Sequence, residues 1–285
     1  MLSIAPRRIA GLLLAAAGLT LMPTAPAAAQ GDLLVAPTRL VLDGRGGGEI
    51  ILSNIGSEEA TYRITVGLRR MTPDGELDPV DETAANVTEK AALDMVRYAP
   101  RRVLLPPGQP QAIRISAHPG PELPDGEYRV HLTFSAVPKV APVVPAAATP
   151  AAAAPTANPG GFSINLIPVY GITMPIIVRK GQLAVTAGLS NPKVVRSAGG
   201  ATFEVDITRS GKASLYGDVL VRRRGDKDPA FVVHGIGVYP EIDHRHGAFP
   251  LSAEQVTLLH GPVTVEFRDP AEKGGALIAS VDTAL

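Results

Sequence analysis

The chain of 285 residues has no cysteine and no tryptophan. No disulfide can staple it, and thiol catalysis and zinc–thiolate sites are excluded. Aromatic residues make up only 4% of it, which disfavours a stacking platform for sugars. Charge of either sign is not in excess: 27 Lys and Arg stand against 27 Asp and Glu. A balanced chain carries no broad electrostatic footprint for nucleic acid or an anionic membrane. Nucleophile elbows, Gly-rich phosphate loops, Ser-His-Asp contexts and carboxylate pairs do not stand out either. The expectation is a protein that is not an enzyme, with no cofactor, no small-molecule substrate and no nucleic-acid partner.

What is present begins with an export signal. Arg7 and Arg8 precede an apolar run to Met22, followed by the small residues Ala27 and Ala29. This is the pattern of a cleaved secretory signal over residues 1–29, with a mature chain starting at Gln30 in the periplasm. The run falls short of the about 20 apolar residues that a retained anchor needs. Without Arg7 and Arg8 the basic residues fall to 25 against 27 acidic ones, still near neutral.

Short β-rich segments then follow one another, separated by Gly/Pro turns. "LLVAPTRLVL", "EIILSNIG", "ATYRITVGLRR" and "DGEYRVHLTFSAVP" read as strands, the last with Tyr128, Val130, Leu132 and Phe134 on one face and Arg129, His131 and Thr133 on the other. Only residues 83–94 suggest a helix. A further set of strands begins after Gly181. The fold class expected is all-β, built as β-sandwiches, with one domain over 30–180 and a second over 181–285. Residues 138–160, "PKVAPVVPAAATPAAAAPTANPG", are dominated by Pro and Ala and read as a mobile loop inside the first domain.

Directly after that loop stands "INLIPVYGITMPIIVRKG", residues 164–181, uncharged from Ile164 to Val178 and rich in β-branched residues. It is too short and too interrupted by proline to span a bilayer as a helix. Pro168 and Pro175 place it at a sheet edge, because proline cannot donate to a central ladder. The other reading is a fully buried central strand.

The order of these segments resembles the periplasmic pilus-assembly chaperones, the PapD-like family. "VAPTRLVLDG" looks like that family's first strand, "RRVLLPPGQPQAIRI" like its Pro-Gly turn and following strand, "LPDGEYRVHLTFSAVP" like the penultimate strand of its first domain, and "IPVYGITMPIIVRKG" like the last one. "ITRSGKASLYGDVLV" matches within the second domain. The resemblance implies two immunoglobulin-like domains in a boomerang arrangement. It also implies that the last strand of the first domain is lent to a pilin-like subunit lacking its own final strand, and that the subunit is delivered to an outer-membrane usher. An unfinished sandwich exposes a groove and unpaired backbone, which an added strand fills. In the family register Ile164, Leu166, Pro168 and Tyr170 face the client; a one-residue slip selects Ile167 and Val169 instead.

The family anchors the client's terminal carboxylate with an arginine on the first strand and a lysine on the last. Arg39 matches the arginine, whose fork suits a carboxylate. Pro175 stands where the lysine would be, so another cation is needed: Arg129 is favoured, with Arg179 and Lys180 as the other candidates. Two further motifs carry less. His234, His244, His246 and Asp243 invite a metal reading, which their turn-like context disfavours, so no metal site is expected. Arg224-Gly225-Asp226 reads as a charged hairpin tip. The competing functional reading is a secreted structural or adhesive immunoglobulin-like protein of a pilus or cell surface. A pilin, however, has one sandwich and an N-terminal extension, and this chain has two and an internal edge strand.

Overall fold

The computed structural model describes residues 33–138 and 169–285. The expected signal sequence, nearly all of the expected Pro/Ala loop, and Ile164, Leu166 and Pro168 lie outside the described residues.

The first sandwich is built from β1 (Leu33–Ala36), β2 (Leu40–Leu42), β3 (Gly47–Asn54), β4 (Ala60–Met71), β5 (Leu77–Val80), helix α1 (Val87–Met95), β6 (Val96–Ala99), β7 (Arg102–Leu105), β8 (Pro110–Ala117), β9 (Gly126–Ala136) and β10 (Gly171–Lys180). One sheet runs β1-β3-β8-β6 and the other β2-β10-β9-β4-β5, with β7 pairing β4. This is the strand order of an immunoglobulin-like sandwich. Alternation decides what fills it. Tyr128, Val130, Leu132 and Phe134 of β9 meet Ile50, Leu52, Ile113 and Ile115 from the opposite sheet, all of them buried. The chain enters on one sheet as β1 and changes to the other as β2. Pro37 and the bend after it make the break, since a proline cannot continue the ladder.

The predicted helix is present as α1, opened by a capping box: Asn86 accepts from the Glu89 amide and the Glu89 side chain accepts from the Asn86 amide. Glu89 also takes Arg70 with two hydrogen bonds, at 2.6 and 2.7 Å. Ala92 and Met95 turn into the core.

The second sandwich comprises β11 (Val185–Ser197), β12 (Gly200–Gly211), β13 (Leu215–Arg223), β14 (Phe231–Val238), β15 (His244–Leu251), the short helix α2 (Ala253–Leu258), β16 (Pro262–Arg268) and β17 (Leu277–Ala284). Its sheets run β11-β12-β15 and β14-β13-β16-β17, closing over Phe203, Val205, Ile207, Val219, Val221, Val265 and Phe267. Too short for periodicity to reveal, α2 is announced by its capping box alone, Ser252 with Gln255.

The two sandwiches are tied together where β4, β9 and β10 end. Met71, Ile177 and Tyr239 form a small apolar cluster between them, with Leu77 and Ile242 against it. The turn after β4 docks on β15: the His246 amide donates to the Pro73 carbonyl at 2.7 Å. Gly75 in that turn has φ +85°, and a Cβ there would lie 2.1 Å from the Arg245 Nε. Gly181, which leads from β10 toward β11, is confined in the same way: φ is +78° and a Cβ would strike the Asp125 carboxylate at 2.2 Å.

Candidate functional site

Strand β10 is paired unequally on its two sides. Along its whole length, from Gly171 opposite Ser135 to Lys180 opposite Gly126, it runs antiparallel to β9. On the other side β2 pairs it, in parallel, only at Ile176, Ile177 and Val178. Before Ile176, therefore, no described strand covers that edge. The Ala136 amide donates to the Tyr170 carbonyl at 3.0 Å, which fixes the alternation. Even-numbered residues turn their backbone groups to β9, and Gly171 and Thr173 turn theirs to the open side. Pro175, at the same parity, has no N–H to offer there.

The side chains divide along the same strand. Met174, Ile176 and Val178 are fully buried in the first core. Tyr170 and Ile172 share their face by alternation but are 56% and 38% exposed, and Val169 beside them is 55% exposed. The strand thus leaves the sandwich still apolar and still able to form a ladder. Of the four residues expected to face a client, Tyr170 is at this exposed end; Ile164, Leu166 and Pro168 lie outside the described residues.

The opposite face of the same sheet looks toward the second sandwich, and its charged residues gather there. The Arg39 Nη2 donates to the Ser214 Oγ at 2.9 Å, and its guanidinium lies 4.4 Å from the centre of the Tyr216 ring. Burial pushes that guanidinium down from its ordinary value, against the raising effect of Tyr239 and Glu127. Its Nε and Nη1 are buried without a hydrogen bond. Arg179 reaches the same serine: Nη2 donates to the Ser214 carbonyl at 3.2 Å, and Nε to the Glu127 carboxylate at 3.1 Å. Glu127 is buried and also accepts from the Ser214 amide and hydroxyl, at 2.9 and 2.8 Å. Arg39 and Arg179 therefore flank one serine, with Glu127 as their shared counter-charge.

Arg129 and Lys180, the other candidate cations, are engaged elsewhere. The Arg129 guanidinium stacks on Tyr239 at 3.7 Å, pairs with Glu241, and donates to the Arg69 carbonyl at 3.2 Å. It acts as a strut between the sandwiches. Lys180 donates to three carbonyls, those of Gly120, Pro121 and Leu123. So Arg179, rather than Arg129, is the cation brought to Arg39. His131, on the outward face of β9 with Arg129, is a buried group of this wall that was not among the expected site residues. Its alternation was the signal.

The histidines considered for a metal are dispersed. His234 is on β14 and meets Asp218 at 2.8 Å; His246 is on β15, in the other sheet, and meets Asp206 at 2.7 Å; His244 is held by Asp243 at 2.8 Å. Among the described residues no group of three or more such side chains could hold a metal ion. Arg224-Gly225-Asp226 forms the turn after β13, where Asp226 binds Arg223 at 2.7 Å.

No protein-family model matches the chain, and no curated protein does. Among solved structures it is similar to the YadV chaperone, with 12% identity over 90% of this chain and 100% of that one and a TM-score of 0.45. It is similar to a chain of the CsuC–CsuE chaperone–tip adhesion subunit pre-assembly complex from the archaic chaperone-usher Csu pili of Acinetobacter baumannii, with 10% identity over 88% and 98% and a TM-score of 0.42. A chain of the Salmonella enterica SafA pilin–SafB chaperone complex shows 16% identity over 89% and 96%, with a TM-score of 0.42.

Proposed function

We propose that this chain is a periplasmic chaperone for pilin-type subunits, which it holds by lending them a strand and hands on to an outer-membrane usher. The observation that carries the reading is the asymmetry of β10. Its inner half is an ordinary core strand. Its outer half keeps apolar side chains, an open edge, and backbone groups of Gly171 and Thr173 directed at that edge. Exposed apolar strand edges invite aggregation and are normally blunted by charge or covered. One kept bare is suited to complete another protein's sheet by strand addition, where the main chain supplies affinity and alternate side chains fill pockets.

The cationic wall fits the same reading. A lent strand needs a fixed register, and a subunit's terminal carboxylate held by Arg39 would set it. The Nε and Nη1 of Arg39 are buried donors without an acceptor, on a wall where Glu127 has Oε2 taken and Oε1 unpaired.

Coexpression of the exported chain with a pilin-like subunit tests this. Subunit recovered as a soluble one-to-one complex, and lost with Arg39→Ala while the variant's melting temperature stays unchanged, is the expected result. A subunit that stays equally soluble without the chain would overturn the proposal.

A further inference from the structure

Strand β4 is covered in two pieces on the side away from β9. β7 pairs it from Ala60 to Arg63, and β5 from Leu68 to Met71. No described strand covers the stretch between. The Ile64 amide donates to the Arg101 carbonyl at 2.9 Å, which fixes the alternation: even-numbered residues of β4 turn their backbone groups to this edge. Ile64 is served there, since its carbonyl also accepts from the Tyr98 hydroxyl at 3.2 Å, and Leu68 meets Val80. Val66 lies between them, and its N–H and carbonyl have no partner on this side among the described residues.

The gap opens into a groove of about 520 Å³, lined by Val66, Tyr98, Glu82, Arg63, Arg101 and Arg102. Three guanidiniums thus stand against one carboxylate. All three arginines are exposed, and among the described residues none has an ion-pair or side-chain hydrogen-bond partner. Arg101 lies over the Tyr98 ring, 5.0 Å from its centre. Arg63 and Arg102 are set directly opposite each other in the β4–β7 ladder. Arg63 turns its backbone to β9, so the pair is of the non-hydrogen-bonded kind, in which backbones approach to about 4.5 Å and side chains are closest. Like charges placed this way destabilise a sheet. Charge on an edge deters unwanted strand pairing, but a single arginine does that. Two in register, with a third beside them, concentrate positive charge at a cost.

A tetrahedral oxyanion answers this arrangement. It offers acceptor oxygens to several guanidinium forks and cancels the repulsion between Arg63 and Arg102. It can also take the Val66 N–H, as backbone amides do in anion-binding concavities. A carboxylate brings one charge to three cations.

We infer that this notch binds phosphate, free or as the headgroup of a phospholipid, through Arg63, Arg101, Arg102 and the Val66 amide. The notch is on the far side of β4 from β10, and the inference does not depend on the lent-strand reading.

The test is made on the whole mature chain, labelled with 15N. The probe is inorganic phosphate at pH 7, set against sodium chloride at equal ionic strength. Phosphate should shift the Val66 amide and the Nε–H signals of the three arginines saturably, and raise the melting temperature; chloride should do neither. Arg102→Gln should weaken binding at least about tenfold. Because it relieves the like-charge pair, it should melt no lower than the parent when phosphate is absent. Arg114, exposed on the other sheet and paired with Glu49, is the control: Arg114→Gln should bind phosphate as the parent does. Vesicles of phosphatidic acid, set against phosphatidylcholine, then give the source. Sedimentation with the former that Arg102→Gln abolishes assigns a lipid headgroup; no sedimentation assigns the free anion. If chloride shifts the same signals equally, or phosphate moves the arginine signals and leaves Val66 unmoved, the arginines only guard the edge and the inference falls.

Discussion

Orphaned polar atoms concentrate on one wall of this protein. Arg39 Nε and Nη1, Arg129 Nε, both His131 nitrogens and Glu127 Oε1 are all buried without a hydrogen bond, and all face the second sandwich. Desolvation on this wall bears most directly on His131. The native state resists protonating His131, whose midpoint is pushed down to about 3 by burial and the neighbouring arginines, while the unfolded chain protonates at the ordinary 6.5. Below pH 6.5 the unfolded state therefore binds the extra proton, and stability is lost as the pH falls toward 3, at up to roughly 1.4 kcal/mol per unit. Carboxylates held low by partners, such as Glu89 by Arg70 and Asp206 by Asn191, give up their contribution only at lower pH. The other five histidines are common to the protein and its His131→Leu variant, so the difference between their melting temperatures from pH 6.5 to 4.5 isolates His131. His131→Leu should flatten that slope and leave stability at pH 7 equal or higher by about 1 kcal/mol, since it removes two unpaired nitrogens. An unchanged slope would mean that the ring is not held neutral.

At the scale of elements, the sequence was most legible where alternation and turns coincide. The β9 pattern named its buried face correctly because that face is repeated four times without interruption, from Tyr128 to Phe134. The expected helix at 83–94 is found as Val87–Met95, and the structure shows what starts it: Asn86 and Glu89, three apart, form a capping box. What could not be read was pairing at a distance. Nothing local says that β2 stops covering β10 at Ile176, or that Ser214 is shared by Arg39, 175 positions away, and Arg179, 35 positions away. Arg129 was chosen as the second cation because it is on the right face; its partner Glu241 lies 112 residues away. The division of β10 gives a sharp prediction. Tyr170→Asp places a charge on an exposed side chain, and should change stability by no more than about 0.5 kcal/mol. Met174→Asp buries one in the core and should cost more than about 4 kcal/mol. If β10 is lent to a client, Tyr170→Asp should nevertheless abolish recovery of the complex. A Tyr170→Asp protein that melts like Met174→Asp would show that the outer half is a structural strand.

At the scale of the whole molecule the question is whether the two sandwiches move as one. Domains within a chain are expected to shift relative to each other unless their interface is large and apolar. Here the apolar part is small, with Met71, Ile177 and Tyr239 at its centre. Polar ties make up the rest, and they converge on few residues. The Glu241 carboxylate accepts from both the Met71 amide and Arg129, so one side chain from the second sandwich satisfies two groups of the first. The turn at Gly75 fits against Arg245 only because it carries no Cβ and can hold φ +85°. If β10 is lent to a client and Arg39 holds the client's carboxylate, as proposed, the two must stay in register with each other, and a rigid junction would serve both. The expectation is a single cooperative calorimetric transition for the mature chain, with calorimetric and van't Hoff enthalpies in agreement. Glu241→Ala leaves Arg129 without its counter-charge and the Met71 amide without an acceptor. A loss of about 3 kcal/mol corresponds to a fall of about 6–12 °C in melting temperature for a chain of this length. Combined with Gly75→Ala, it should split the transition in two, because each sandwich has its own core and can melt alone. If the double variant still melts in one transition at the original temperature, the polar ties do not couple the sandwiches, and the cleft face must be held by Ile177 and its apolar neighbours instead.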